Sequence, residues 1–259
     1  MNTSVHPSSP SRGQVSVCMA SYNGSAHIAE QIASILPQLQ AGDELVIVDD
    51  ASTDDTVDTV EAIGDPRIRL IRSAVNRGYV KTFEAALTAS TGEFVFLSDQ
   101  DDVWLPGRVD AMVAALGQAD VVASNFGYFG QAPRRIESIR LRSSDSSRRW
   151  ANLLALWIGV RPYYGCAMAF RGSARNLILP FPAFLVETHD QWIALAGNLK
   201  GSMVHLEQNT LNRRLHENNT TPKKARSLSQ ILRARIMLAR AFFVALKRIQ
   251  RGKSAAAGS

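Results

Sequence analysis

Three carboxylates fall within four positions at Ser98-Asp99-Gln100-Asp101-Asp102, directly after the apolar run Phe94 to Leu97. A short unbroken run of strand-forming apolar residues is how a strand buried on both faces reads. Open α/β sheets bind ligands in the crevice outside the carboxyl ends of such strands. Alternate side chains of an extended segment share a face, so Asp99 and Asp101 are expected to point at one ion or polyanion while Gln100 points away. Crowded carboxylates repel unless a cation or hydrogen-bond donors compensate, and hard oxygen ligands suit Mn²⁺ or Mg²⁺. The competing assignment makes Asp102 the cap of a helix beginning near Pro106, but a cap needs one carboxylate and not three. A second acidic pair, Asp49-Asp50, follows the apolar run Leu45 to Val48, and His189-Asp190 precedes a helical pattern.

The elements that must position these groups alternate. Val15 to Ala20 reads as a buried strand, followed by the turn Ser21-Tyr22-Asn23-Gly24 and a helix with Ile28, Ile32, Ile35 and Leu39 at helical spacing. Strand, glycine turn and helix is the opening of a nucleotide-binding βα unit. Further strands are expected at 45–48, 67–71, 94–97 and 121–124, with helices beginning near Ser52, Val80 and Pro106 between them. Beyond residue 125 the pattern loosens: an Arg/Ser-rich mobile loop over 130–147, a helix at 150–157, a strand at 165–170, a helix at 190–199, and a strand pair at 203–206 and 210–215. The order predicts an α/β fold with a Rossmann-like nucleotide-binding half, 14–125, and an acceptor-binding half, 126–220.

Composition excludes several classes. The 259 residues are 46% hydrophobic, enough for a core, and the net charge of +6 belongs to one end. Residues 221–259 hold ten Lys or Arg and no acid, leaving 19 basic and 23 acidic residues elsewhere. A mildly acidic body argues against nucleic acid as partner, while the tail calls for an anionic one. There Leu232, Ile236, Ala239, Phe243 and Leu246 form an apolar stripe, with Arg226, Arg233, Arg240 and Lys247 at seven-residue intervals on another face. This basic amphipathic helix, residues 226–251, is expected to lie on an anionic membrane surface or to dock on the body or on a second copy. Its apolar stretches are too short to span a bilayer. Cys18 and Cys166 read as core fillers of a reducing cytosol, and the polar arm 1–13, without an apolar leader segment, as disordered.

VSVCMASYNG at 15–24, ELVIVDDASTDDT at 44–56, NRG at 76–78 and SDQDDVW at 98–104 resemble, in order and spacing, family 2 glycosyltransferases of the GT-A fold. GCAMAF at 165–170, ETHDQW at 187–192 and RRLHENNT at 213–220 look like their rhamnosyltransferase-like branch. The resemblance covers about 15–220 and implies a mixed central sheet and a nucleoside diphosphate sugar donor, with dTDP-rhamnose as the donor of that branch. It implies that Ala20, Tyr22 and Asn23 line the nucleotide site, Tyr22 stacking on the base, with Asp49, Asp50, Asn76 and Arg77 as base and ribose contacts. Asp99 would hold the ribose side, and Asp101, with Asp99 and His216, the metal. Arg214 would meet the diphosphate. Asp190 would be the general base of an inverting transfer to a glycan or lipid-linked acceptor, with His189 touching substrate or orienting Asp190. Arg213 departs from the pattern, which has an aromatic residue there.

The reading is therefore a metal-dependent inverting glycosyltransferase of cell-surface polysaccharide synthesis, cytoplasmic and peripheral on the inner membrane face. Two other classes compete: a phosphoryl- or nucleotidyl-transferase holding two metals on the Asp clusters, and a noncatalytic nucleotide-sugar-binding membrane module.

Overall fold

The computed structural model describes residues 12–129, 140–214 and 227–257. Residues 1–11 of the expected arm, 130–139 of the expected loop, and His216 and Arg226 lie outside the described residues. Arg12 already belongs to the fold, because its guanidinium pairs with Asp43 at 2.6 Å.

The first half follows the apolar runs. Strands β1 (Val15–Ser21), β2 (Glu44–Asp49), β3 (Ile68–Arg72) and β4 (Phe94–Ser98) alternate with helices α1 (Ile28–Ile35), α2 (Thr56–Ile63) and α3 (Tyr79–Ala89). β1 pairs in parallel with both β2 and β4, and β2 with β3. Helix α2 starts later than Ser52 because residues 52–54 are spent on the β1 turn: Asn23 N–H donates to Ser52 Oγ at 2.9 Å and Ser25 N–H to Asp54 Oδ2 at 3.1 Å.

The second half extends the same sheet. After β5 (Val103–Trp104) come α4 (Arg108–Leu116), β6 (Val121–Tyr128), α5 (Arg149–Ile158), β7 (Met168–Arg171), the short α6 (Arg175–Ile178), α7 (His189–Lys200) and β8 (Met203–Arg213). The eight strands run β3-β2-β1-β4-β7-β6-β8-β5, with β7 antiparallel to both neighbours. Core residues cover both faces of this sheet, so each central strand is apolar on both sides.

Three local expectations are corrected. Gly165–Ala167 is a tight turn, and only Met168–Arg171 of that run is strand. The strand pair near 203–215 is the single strand β8, unbroken through the polar Glu207-Gln208-Asn209. Its pairing with β6 shifts register around Asn125, whose amide bridges the Leu141 and Glu207 carbonyls at 2.9 Å each. The helix expected to open at Pro106 begins at Arg108, after Gly107.

The tail forms helix α8 (Leu228–Ala257), which packs on α7. The face that docks carries Ala234, Met237, Leu238, Ala241 and Ala245, all buried. Most of the expected stripe is elsewhere: Leu232, Ile236 and Phe243 are exposed, while Leu246 packs partly against the core. Arg248 fastens the helix by donating to the carbonyls of Leu177 at 2.9 Å and Pro180 at 2.6 Å.

Candidate active site

The parallel strands β1, β2 and β4 end on one edge of the sheet, and the chemistry-bearing residues gather there. At the end of β1, Tyr22 is 46% exposed, leaving a ring face open to a planar ligand. Its backbone is held from across the sheet: Tyr22 N–H donates to Gln100 Oε1 at 2.8 Å, and Gln100 Nε2 donates back to the Tyr22 carbonyl at 3.0 Å. This clamp requires Gly24, where a Cβ would lie 2.3 Å from Gln100 Oε1. Asn23, at φ 46°, accepts the Thr53 N–H at 2.8 Å, and Ala20 is half-buried just before it.

At the end of β2 both carboxylates are buried and committed to the fold. Asp49 accepts from Ser52 N–H at 2.9 Å, from the Ser52 hydroxyl and from Ser21 Oγ at 3.2 Å. Asp50 accepts from Arg77 N–H and Gly78 N–H, each at 2.8 Å, shaping the turn before α3. A nucleotide would share these oxygens with their internal donors. Asn76 and the Arg77 side chain stand exposed on that turn.

After β4 the chain bends through residues 100–101, so the strict alternation expected of an extended segment does not hold. Gln100 does turn away, but the group that assembles is Asp99, Asp102 and Cys166, with ligand atoms within 4.8 Å of one another. Asp102 is not one of the ligands that the resemblance implies, and the sequence places Cys166 in the core alone. Asp102 Oδ1 accepts the Arg214 N–H at 3.1 Å, while its buried Oδ2 meets no N–H or O–H donor. Burial and the adjacent Asp102 and Asp101 carboxylates push the Asp99 carboxyl well up, and burial raises Asp102, with Arg213 opposing it. A buried Asp102 raised by burial and Asp101, beside a half-buried Asp99 raised by burial, Asp102 and Asp101, fits a divalent cation. Cys166 is protonated there, its thiol pushed far up by burial, and is a neighbour better than a ligand for a hard ion.

Arg213 is the residue that sequence reading passed over. Its guanidinium lies 5.3 Å from the Phe126 ring centroid and 4.5 Å from that of Tyr164, buried beside the acidic cluster. Burial alone would lower its pKa, but the neighbouring Asp102 and Asp99 carboxylates oppose that, and the net shift is upward. The only sequence signal was the missing aromatic at that position. Arg108, also fully buried, donates to the Cys166 carbonyl at 2.6 Å and to Thr210 Oγ1, tying the 165–167 turn to β8. Arg214 is engaged by Glu30 at 2.6 Å and lies over Phe129.

From the second half comes Asp190, in the first turn of α7. It accepts the Gln191 N–H at 2.7 Å, and burial, partly offset by the Gln191 and Gly165 N–H groups, raises its carboxyl to about 6. The 165–167 turn links it to the acidic cluster: a Cβ on Gly165 would lie 3.6 Å from Asp190 Cβ, and the next residue, Cys166, groups with Asp99 and Asp102. The preceding Thr188 sits at φ 59°, a conformation costly for a β-branched residue and frequent at working sites. His189 does not orient Asp190 by hydrogen bonding. Its ring is stacked 4.3 Å from Phe83 and flanked by Tyr79 and Phe181, neither nitrogen has a partner, and burial lowers its pKa to about 3. Gly165 presses on both residues: a Cβ there would meet His189 Nε2 at 3.0 Å and Asp190 Cβ at 3.6 Å.

The chain resembles known glycosyltransferases in sequence and in fold. The chain is 32% identical over 102 residues to WfgD of Escherichia coli, a UDP-Glc:alpha-D-GlcNAc-diphosphoundecaprenol beta-1,3-glucosyltransferase, covering 39% of this chain and 40% of that one. It is 36% identical over 112 residues to an uncharacterised glycosyltransferase of Nostoc, covering 42% of this chain and 34% of the other. The chain thus spans less than half the length of these curated relatives. Among solved structures, S. aureus TarS in complex with UDP-GlcNAc matches with a TM-score of 0.65 at 19% identity, over 91% of this chain and 72% of TarS. The mannosyltransferase PcManGT from Pyrobaculum calidifontis, in complex with GDP-Man and Mn²⁺, matches with a TM-score of 0.60 at 20% identity, over 100% and 80% of the two chains. These likenesses give the fold as GT-A. Residues 16–177 match the profile of Glycosyl transferase family 2, more than half of the chain, and the protein belongs to that family.

Proposed function

We propose that the protein transfers a sugar, with inversion, from a nucleoside diphosphate to a glycan or lipid-linked acceptor in the synthesis of a cell-surface polysaccharide. The observation that carries this reading is the turn at Gly165-Cys166, which packs against Asp190 on one side and groups with Asp99 and Asp102 on the other. Inversion needs a base on the side of the anomeric carbon opposite the departing diphosphate. A carboxyl poised at about 6 is ionised at neutral pH yet basic enough to take a hydroxyl proton as attack proceeds. Tyr22 offers its exposed ring to the base, with Asn23, Asp49, Asp50, Asn76 and Arg77 around the nucleoside. Asp99 and Asp102, joined by Asp101, would hold the divalent ion, which supplies neutralising charge to the diphosphate leaving group. Arg213 and Arg214 add fixed positive charge to the same end.

For the donor sugar, the late motifs favour thymidine-linked rhamnose, whereas WfgD and its like are named for UDP-glucose. A thermal-shift panel of both, with and without Mn²⁺, ranks them, because a ligand that binds only the folded form raises stability. An acceptor linked to a lipid diphosphate, as in the name of WfgD, would put the enzyme at the inner face of the cell membrane.

The test of the chemistry is Asp190→Asn, which keeps shape and removes basicity. Turnover is expected to fall by about 10² to 10⁴ with donor affinity by calorimetry unchanged. Near-normal turnover refutes the base assignment, and release of a nucleoside monophosphate, or its incorporation into the product, would move the protein to the phosphoryl- or nucleotidyl-transferase class.

A further inference from the structure

Ten of the fourteen large hydrophobic side chains exposed among the described residues lie on α5 with the residue pair after it and on α8, so the exposed apolar surface is concentrated and not scattered. Concentrated patches mark interaction surfaces, whereas single exposed apolar residues mean little. On α5 the patch carries Trp150 and Leu154, 60% and 59% exposed, with the Arg149 guanidinium 4.9 Å from the Trp150 ring. On α8 it carries Leu232, Ile236 and Phe243, 61%, 52% and 69% exposed. The two helices touch where Arg235 donates to the Ile158 carbonyl at 2.7 Å, which sets the end of α5 beside the α8 stripe.

The opposite face of α8 already docks on the body, so the fold has no use for this stripe. At about 100° per residue, Leu232, Ile236 and Phe243 fall within a narrow arc, and Arg233, Arg240 and Lys247 line its flank. All three cations are exposed, and residues 221–259 carry no acidic side chain to pair with them. Apolar side chains bordered by cations, with tryptophans nearby, match a bilayer interface whose headgroups are anionic. A second copy of the chain is a poor occupant, because it would bring two basic flanks together. No described helix is long and apolar enough to cross a membrane.

We infer that α5 and the outer face of α8 together form a surface that beds into the headgroup layer of an anionic bilayer, with α8 lying in its plane. The inference uses residues outside the candidate active site and stands whether or not the acceptor is lipid-linked.

The full chain is floated with vesicles of phosphatidylcholine alone and of phosphatidylcholine mixed with phosphatidylglycerol. Co-flotation with the anionic vesicles, weakening as salt screens the charges, is expected. In the double variant Ile236→Ser/Phe243→Ser the partition should fall by more than about tenfold, with the melting curve unchanged because both side chains are exposed. Trp150→Ser should weaken it as well, since that residue stands on the other helix. Three results overturn the inference: no flotation with anionic vesicles at low salt, flotation undiminished in the double variant, or a dimer in lipid-free sedimentation that the double variant dissolves, which would assign the face to a second copy.

Discussion

Arg213 decides how the acidic floor survives without an ion. A guanidinium held between two aromatic rings is desolvated, and it stays charged because Asp99 and Asp102 face it. Removing one partner of such a buried set leaves the others uncompensated. Arg213→Gln is therefore expected to destabilise the metal-free protein by about 3 kcal/mol, with Mn²⁺ restoring part of the loss. Melting curves with EDTA and with Mn²⁺ measure it; an unchanged metal-free melt would mean that the arginine compensates nothing. Asp190 gives a second expectation at this scale. With its carboxyl at about 6, the base is lost as pH falls through that value, and kcat should drop about tenfold per unit below it. The acid limb should vanish in Asp190→Asn, whose residual rate has no carboxylate to titrate.

At the scale of elements, apolar runs located β1, β2 and β4, which are buried almost throughout, whereas the polar middle of β8 made one strand read as two, and the carboxylates were found because they stand at the ends of β2 and β4. Which carboxylates converge was hidden, since the bend at 100–101 brings Asp102 beside Asp99 as well. Arg213 was hidden for another reason: Phe126 and Tyr164, which make room for it, come from β6 and from the turn before β7. The environment of His189 was equally illegible, as its ring neighbours come from α3 and from residue 181. That environment has a thermodynamic consequence. A folded pKa of about 3, below the ordinary 6.5, means that the unfolded chain binds more protons in between. The stabilisation from keeping the ring neutral is complete above 6.5 and is lost as pH falls toward 3, at up to about 1.4 kcal/mol per pH unit. His189→Phe, which preserves the stacking, should flatten that part of the stability profile. Urea denaturation of both proteins at several acidic pH values gives the difference, and parallel profiles would show that the ring is not desolvated in solution.

For the whole molecule, the question is whether the C-terminal helix is an appendage or part of the core. Composition marked it as separate, because its charge differs from that of the body, and periodicity found an apolar stripe without revealing that a second one is covered. The covered side includes Leu238, which is 2% exposed, and Met237, both in the cluster that contains Trp192 and Ile193 of α7. The Arg248 guanidinium lies 5.2 Å from the Trp192 ring centroid as well, so charge and apolar contact act at one seam. Two leucines six residues apart should therefore behave differently. Leu238→Ala opens a cavity between α7 and α8 and should cost about 2–5 kcal/mol, while Leu232→Ala, at an exposed position, should stay within about 0.5 kcal/mol of wild type. Because α7 begins at His189-Asp190, loosening its partner should also reach the base: ending the chain after residue 219 is expected to impair folding and turnover together, not to release an intact catalytic body. Denaturation midpoints of the two alanine variants and of the shortened chain decide between the alternatives. Equal midpoints for Leu238→Ala and Leu232→Ala, with a shortened chain as stable as the whole, would make α8 an appendage after all.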